Sequence, residues 1–522
     1  MRHPLMATPH PSCQEFLAAS RKQIRPRVAG AMSLLVMLLL APGVPGASAS
    51  QQQSSAAASG DPLHEAREQR HMMEISVEIG GEPSTGTEAT RAISFAEALD
   101  RALSENIEVA LARAEEEVAR GRLSAAAGVF YPSLEFGGFA RRRDGRIQAS
   151  FGNIGDDLQF STYEERAGLF YRLNLLEEIY DTIASRRELD TAVLRALDTE
   201  QRLLLRITEL YHNLLLSRIG MQIAGQLVDH SRRILRIASA RASAGLGLGA
   251  DVARAQARLA SDRQAFVQAR KLWQTTSVRL AQAIRFDPSI LLEPVEGRLG
   301  PLDLGLTSAQ ERVRERALVR PDVEAARKSF QAASRRKTSA WWDLFGPDLA
   351  AGVGTINLGQ DPDNLRSRRQ YEVLLVWGLS LEKIGRIRQR KAEEESAALR
   401  VTDARDRALA EIETARHEID AARERIPLAQ EALDAAGTNL RITMARFREG
   451  TAIALEVFDA EDTLARSRLD LARTIAAFNL AQVQLLAATG SLSRDVFAGA
   501  DALLGARFQP AGPAAPDSTT GP

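Results

Sequence analysis

The residues best placed to do chemistry in this chain are charged groups gathered at two copies of one short pattern, Ala240 to Gln256 and Ala445 to Glu461. Aligned without a gap, the copies share Ala, Arg, Gly, an acid, Val and Ala. The first places Arg241, Gly245, Leu246, Gly247 and Asp251 in order, and the second Arg446, Gly450, Thr451, Ala452, Glu456 and Asp459. The chemistry on offer is electrostatic. Asp251 and Glu456 fall where an acid favours the N-terminus of a following helix. Arg241 and Arg446 fit either pairing with carboxylates between helices or plain solvation at a surface.

Covalent and metal chemistry find no support. There is no H-E-x-x-H, G-x-S-x-G or Walker sequence, and Gly245 to Gly249 lacks both phosphate-binding spacing and a preceding strand. His64, His71, His212, His230 and His417 stand without ligand spacing. The expectation is no catalytic residue, no metal and no cofactor.

Each charged pattern is a turn. A long charged helical stretch runs into a Gly, passes a few small or apolar residues and restarts behind an acid, which reads as an antiparallel helix hairpin. Helical spacing is almost unbroken from about residue 183 to 243, and at 1.5 Å per residue that is a rod of roughly 90 Å. A second long helix spans about 386–448, with Pro427 expected to kink or split it. Return helices follow, the second carrying Leu455, Phe458, Leu469, Leu480 and Val483, with Asp462 interrupting the apolar run.

Between the helices the periodicity drops to two. Leu134 to Arg141, Ala167 to Leu176, 349–357 and 371–381 alternate, with Leu169, Tyr171, Leu173 and Leu175 on one face and Arg172 and Asn174 on the other. Such segments suit strands between lipid and a wet lumen, or a surface hairpin on a soluble domain. Arg141, Arg142, Arg143 and Arg146 fall in the expected outer loop.

The sequence divides into a signal peptide at 1–49, a flexible segment at 50–92, a first repeat at 93–306 with its turn at 244–250, a second repeat at 307–490 with its turn at 449–454, and a disordered tail at 491–522. In the leader, Arg21, Lys22, Arg25 and Arg27 precede the apolar run 31–41, and Ala47-Ser48-Ala49 offers a cleavage site. A membrane anchor is the alternative. The single cysteine, Cys13, lies in this leader. Without the leader, 62 basic residues face 66 acidic ones, a balance that disfavours nucleic acid as a partner.

The duplicated Ala-Arg-x-x-x-Gly turns, Tyr131-Pro132-Ser133-Leu134, Arg320-Pro321-Asp322-Val323, Asn479 and the run Leu485 to Gly490 resemble the outer-membrane efflux protein family typified by TolC. The resemblance spans about residues 93–490. It implies a fold that is mainly α with membrane β-strands, a homotrimeric TolC-like α/β-barrel: four strands per protomer in a twelve-stranded barrel, over a long α-helical periplasmic barrel. The strands on their own also demand partners, since four cannot close a barrel and lipid tolerates no open edge. One departure is Glu177-Glu178-Ile179-Tyr180-Asp181 and Glu382-Lys383-Ile384-Gly385, where the family carries an aromatic-Asp-Gly-Gly stretch.

Carried onto this chain, the resemblance implies a constriction at Glu456 and Asp459, joined by Asp251, each tripled into a ring by threefold symmetry. It makes Gly245, Leu246, Gly247, Gly450, Thr451 and Ala452 the adaptor-docking turns. For Asp251 and Glu456, helix-end stabilisation is the competing role. Phe130, Tyr131, Trp341 and Trp342 are expected at the membrane interface, where aromatic rings prefer to lie, with core packing as the alternative. The implied partners are a periplasmic adaptor (membrane fusion protein), an inner-membrane transporter of RND or ABC type, and outer-membrane lipid. The expected function is the exit duct of a tripartite efflux system in a Gram-negative outer membrane, with type I protein secretion as the alternative. A soluble periplasmic adaptor would share the hairpins but needs no amphipathic strands.

Overall fold

A computed structural model describes residues 77–78, 89–148, 154–245, 247–296, 298–302, 304 and 318–497. The leader, Cys13, most of the segment 50–92, Leu246 and the tail beyond residue 497 lie outside the described residues. The chain forms two compact units, one of strands and one mainly of helices.

The strand unit contains β3 (Ser133–Gln148), β4 (Ile154–Leu173), β7 (Asp348–Gly359) and β8 (Arg366–Val376), antiparallel in the order β3-β4-β7-β8. Register places Leu134, Leu169, Val353 and Tyr371 in one row across all four strands. They are 62%, 40%, 46% and 73% exposed, so an apolar row faces outward with no other described residue covering it. One row along, Glu135, Gly168, Gly354 and Gln370 fall on the opposite face. Gly352 is required there, because a Cβ would meet the Phe170 ring at 2.7 Å.

β3 and β4 are longer than sequence alternation predicts. Arg141, Arg142, Arg143 and Arg146 belong to β3 and not to a loop. At 16 and 20 residues both strands exceed the roughly 9–11 that cross a bilayer, so the hairpin has length to spare beyond the apolar band.

The helical unit holds α1 (Phe95–Glu105), α2 (Ile107–Gly128), α3 (Leu175–Ser243), α4 (Gly249–Ala283), α5 (Pro321–Phe345), α6 (Leu381–Glu449) and α7 (Ala454–Ala488). Asn106 separates α1 from α2: its side chain accepts from Glu108 N–H at 2.7 Å and donates to the Ala283 carbonyl at 2.8 Å. α3 and α6 each run 69 residues, about 100 Å at the standard rise. α6 continues through Pro427 instead of splitting there. Ile426 and Ala429 are buried beside it, and that packing outweighs the single lost hydrogen bond. α7 is apolar enough to span a membrane, yet 67% of its apolar window is buried inside the fold, as for a core helix.

Two small sheets join strands within residues 77–93 to strands within residues 291–299. β2 (Thr90–Ile93) pairs in parallel with β5 (Leu291–Pro294), and β1 (Val77–Glu78) pairs antiparallel with β6 (Arg298–Leu299). These described parts of the segment 50–92 are paired strand, contrary to the expected flexibility. Beyond Gly490 a short helical turn, Arg494–Phe497, buries Phe497 edge-on to Phe95 at 5.2 Å, while Arg494 pairs with Asp100 at 2.8 Å. The tail is therefore ordered as far as residue 497.

The family-like motifs are joints of this unit. Buried Asn479 accepts from Leu302 N–H at 2.7 Å and donates to the Gly300 carbonyl at 3.0 Å, pinning the strand-to-helix linker. Arg320 grips Asp322 through both carboxylate oxygens, at 2.7 and 2.6 Å, and the same carboxylate accepts from Val323 N–H at 2.8 Å where α5 begins.

Candidate functional site: the paired hairpin turns

Each hairpin closes through a left-handed glycine. Gly245 has φ +73° and Gly450 φ +85°, values that cost other residues about 1–2 kcal/mol. Behind Gly450, Thr451 returns to the Arg446 carbonyl with its N–H at 2.9 Å and its hydroxyl at 3.1 Å. Gly247 is tight for a different reason: a Cβ would stand 3.1 Å from both Ala242 N and Arg241 Cβ. Ala452 is buried under the second turn.

The two turns are held against each other. The Arg241 guanidinium, from the end of α3, donates to the Phe447 carbonyl at 2.8 Å and the Arg448 carbonyl at 3.2 Å. It also lies over the Phe447 ring at 5.0 Å. In place of a carboxylate or open solvent, Arg241 takes the last carbonyls of α6, of which that of Phe447 also accepts from Gly450 N–H at 3.2 Å, at the negative end of the helix dipole. A small core lies beneath, formed by Ile234, Ala238, Ala255, Phe447, Val457 and Phe458, with residues from both hairpins.

Arg446 stays within its own turn, 3.4 Å from Glu456. Glu456 also accepts from Ile453 N–H at 3.4 Å at the start of α7. Asp251 sits in the first turn of α4, 3.4 Å from Arg254. Asp459 is exposed, and its carboxylate has no partner among the described residues. No hydrogen bond or ion pair among the described residues joins Asp251 to Glu456 or Asp459. Among the expected interface aromatics, Tyr131 is 75% exposed just ahead of β3 and Phe130 is half-buried. Trp341 and Trp342 lie in the last turns of α5, both partly exposed.

Two further features carry weak sequence signals. Leu248, Ile453 and Leu455 are large apolar side chains left exposed beside the turns. Farther along, Arg258 of α4 donates to Asp262 at 3.0 Å and to Asp462 of α7 at 2.9 Å, while Ser231 of α3 donates to Asp262. The Asp462 that interrupts the apolar run is thus the far end of a clamp between hairpins. Next to it His230 Nδ1 lies 2.8 Å from buried Glu461.

The family model described as Outer membrane efflux protein matches residues 98–284 and 313–491, most of both repeats. The chain belongs to this family. Solved structures with the same fold include the Campylobacter jejuni CmeC outer membrane channel, 15% identical, TM-score 0.69, covering 82% of this chain and 95% of that one. The Vibrio cholerae outer membrane protein VceC is 19% identical, with TM-score 0.63 and coverage of 76% and 96%. The open state of the Neisseria gonorrhoeae MtrE channel is 19% identical, with TM-score 0.64 and coverage of 77% and 90%. No curated protein matches the chain in sequence.

As an outer membrane efflux protein, the chain is a protomer of a trimeric TolC-like channel in the outer membrane with a periplasmic extension. The family is one of channels and not of enzymes. Channel membership accounts for the bare row through Leu134, Leu169, Val353 and Tyr371, which a lipid-facing barrel surface requires. It also accounts for the edges of β3 and β8 that no other described strand pairs, which neighbouring protomers close.

Proposed function

We propose that this outer membrane efflux protein is the exit duct of a tripartite system exporting small toxic compounds, powered by a proton-driven inner-membrane transporter of RND type through a periplasmic adaptor. The observation that carries this is the clasp of Arg241 on the α6 carbonyls, which joins the two hairpin turns beside exposed Leu248, Ile453 and Leu455. A clasp made of a few hydrogen bonds can be undone by a partner whose apolar contacts form only in the open arrangement. In the trimer Glu456 and Asp459 become rings of like charge that favour cations at the constriction, with Asp251 contributing from the first turn. The Gly245 and Gly450 turns, with Gly247 and Thr451 and with Ala452 buried beneath them, form the docking surface for the adaptor.

The test is deletion of the gene in its host, with growth measured on dyes, detergents and small antibiotics, and secreted protein compared in parallel. Sensitisation restored by the gene in trans supports the proposal. Unchanged tolerance together with loss of one large secreted protein would replace it with type I secretion.

A further inference from the structure

Away from the turns, α2, α3, α5 and α6 enclose a cleft of about 890 Å³. Each of the first three helices presents one stripe at i, i+3, i+4 and i+7 spacing, ending at Arg122, Arg195 and Arg336. The α3 stripe of Glu188, Thr191, Ala192 and Arg195 is repeated on α6 as Glu393, Ser396, Ala397 and Arg400. Both repeats therefore bring the same chemistry to one cleft, an arginine at the rim above a hydroxyl and a methyl.

The charges within it do not cancel. Glu188 is taken by Arg336 at 2.7 Å, and Glu393 by Arg390 at 2.8 Å. Arg122, Arg195 and Arg400 have no carboxylate partner among the described residues, and only Glu115 stands against them. The floor is small and apolar: Ala119, Ala332 and Ala397 are buried in it. A volume near the upper end of the roughly 300–1,000 Å³ of small-molecule sites is thus combined with methyl groups below and unpaired guanidiniums above.

We infer that this cleft binds an organic anion, a sulfonate, phosphate or carboxylate head on a compact apolar body. The head is held by Arg195 and Arg400, with Arg122 beside them, and the body rests on the alanine floor. Guanidinium suits such heads because its planar donors match two oxygens at once. The alanines matter equally, since a larger side chain there would fill the space the apolar body occupies. Binding at the cleft does not depend on which transporter drives export, so a failed export test and a failed binding test are separate results.

The experiment uses the trimer in lipid nanodiscs, with 2-naphthalenesulfonate as probe and equilibrium dialysis as readout. Saturable binding should weaken by about tenfold or more in Arg195→Gln/Arg400→Gln and be largely kept in Arg195→Lys/Arg400→Lys. Ala192→Leu/Ala397→Leu should abolish it with the charge unchanged. Heat-resistant trimers on unboiled gels show that each variant is assembled, and any variant that fails this check is replaced by Arg122→Gln, which is expected to weaken binding as well. The inference is overturned by absence of saturable binding in the parent trimer, by affinity unchanged within about twofold in assembled Gln variants, or by equal binding of the 2-naphthyltrimethylammonium cation. Displacement by inorganic sulfate at equal concentration would overturn the requirement for an apolar body.

Discussion

Arg241 of the first hairpin and Phe447 of the second are joined twice, by a 2.8 Å hydrogen bond from guanidinium to backbone carbonyl and by the guanidinium lying 5.0 Å over the ring. Phe447 is buried in the core shared by both turns, so the contact cannot slide without unpacking that core. The residue that closes the first turn is thereby committed to the second.

Removing that contact should loosen the tip. A hydrogen bond from a charged group is worth about 1.5–3 kcal/mol, so Arg241→Ala should shift a closed-to-open balance by roughly ten- to a hundredfold towards open. Higher single-channel conductance in planar bilayers is the expected outcome, with Arg241→Lys intermediate because one ammonium cannot span two carbonyls and stack. Conductance equal to the parent channel would show that the clasp does not set the gate.

Asp459 and Glu456 should separate under mutation. Asp459 is exposed, with no partner for its carboxylate among the described residues, whereas Glu456 faces Arg446 and the start of α7. Asp459→Ala should therefore weaken block by divalent cations and raise conductance while leaving trimer melting unchanged. Glu456→Ala should change block and also lower the melting point slightly, since an exposed pair is worth about 0–1 kcal/mol. Unaltered divalent block in both variants would remove them from the constriction.

The parts of this architecture that repeat over many residues are legible in the sequence. Long helices announce themselves by periodicity, and Gly245 and Gly450 mark where they turn. The β2–β5 pairing is not, because Thr90–Ile93 and Leu291–Pro294 are short and far apart in the chain, with no alternation to link them. Arg141 to Arg143 hid the length of β3 for a related reason: strand that extends past the lipid needs no apolar face. At the turns, the partner of Arg241 is backbone, which has no residue identity to read. The clamp through Asp462 showed only as a charge in an apolar run, and its partners lie on another hairpin.

That clamp makes a stability prediction. Hydrogen bonds to Asp462 hold the Arg258 guanidinium charged even beyond its usual range, against the opposing effect of burial. Arg258→Met would leave Asp262, 4% exposed, with Ser231 as its one side-chain partner among the described residues. With about a quarter of the Arg258 and Asp462 side chains exposed, the cost should fall near the low end for a broken buried pair, about 3 kcal/mol. Trimer melting should drop accordingly and recover in Arg258→Met/Asp262→Leu/Asp462→Leu. A single variant as stable as the parent would show that Asp262 finds water instead.

The last prediction concerns pH. Burial raises the Glu177 carboxyl from 4.5 to about 7, helped by the negative charges of Asp343, Asp181 and Glu178 and only partly offset by Lys383. The Asp343 beside it is buried and shared by Lys383 at 2.8 Å and Arg386 at 2.7 Å. A carboxyl raised in this way binds its proton more tightly in the folded chain than in the unfolded one. Its contribution therefore opposes folding as pH rises, absent below about 4.5 and complete above about 7. Glu177→Gln, which keeps the shape and removes the charge, should raise trimer melting by a few degrees at pH 8 and leave it unchanged at pH 4. An equal gain at both values would mean that the substitution acts through packing and that Glu177 carries no proton near neutrality.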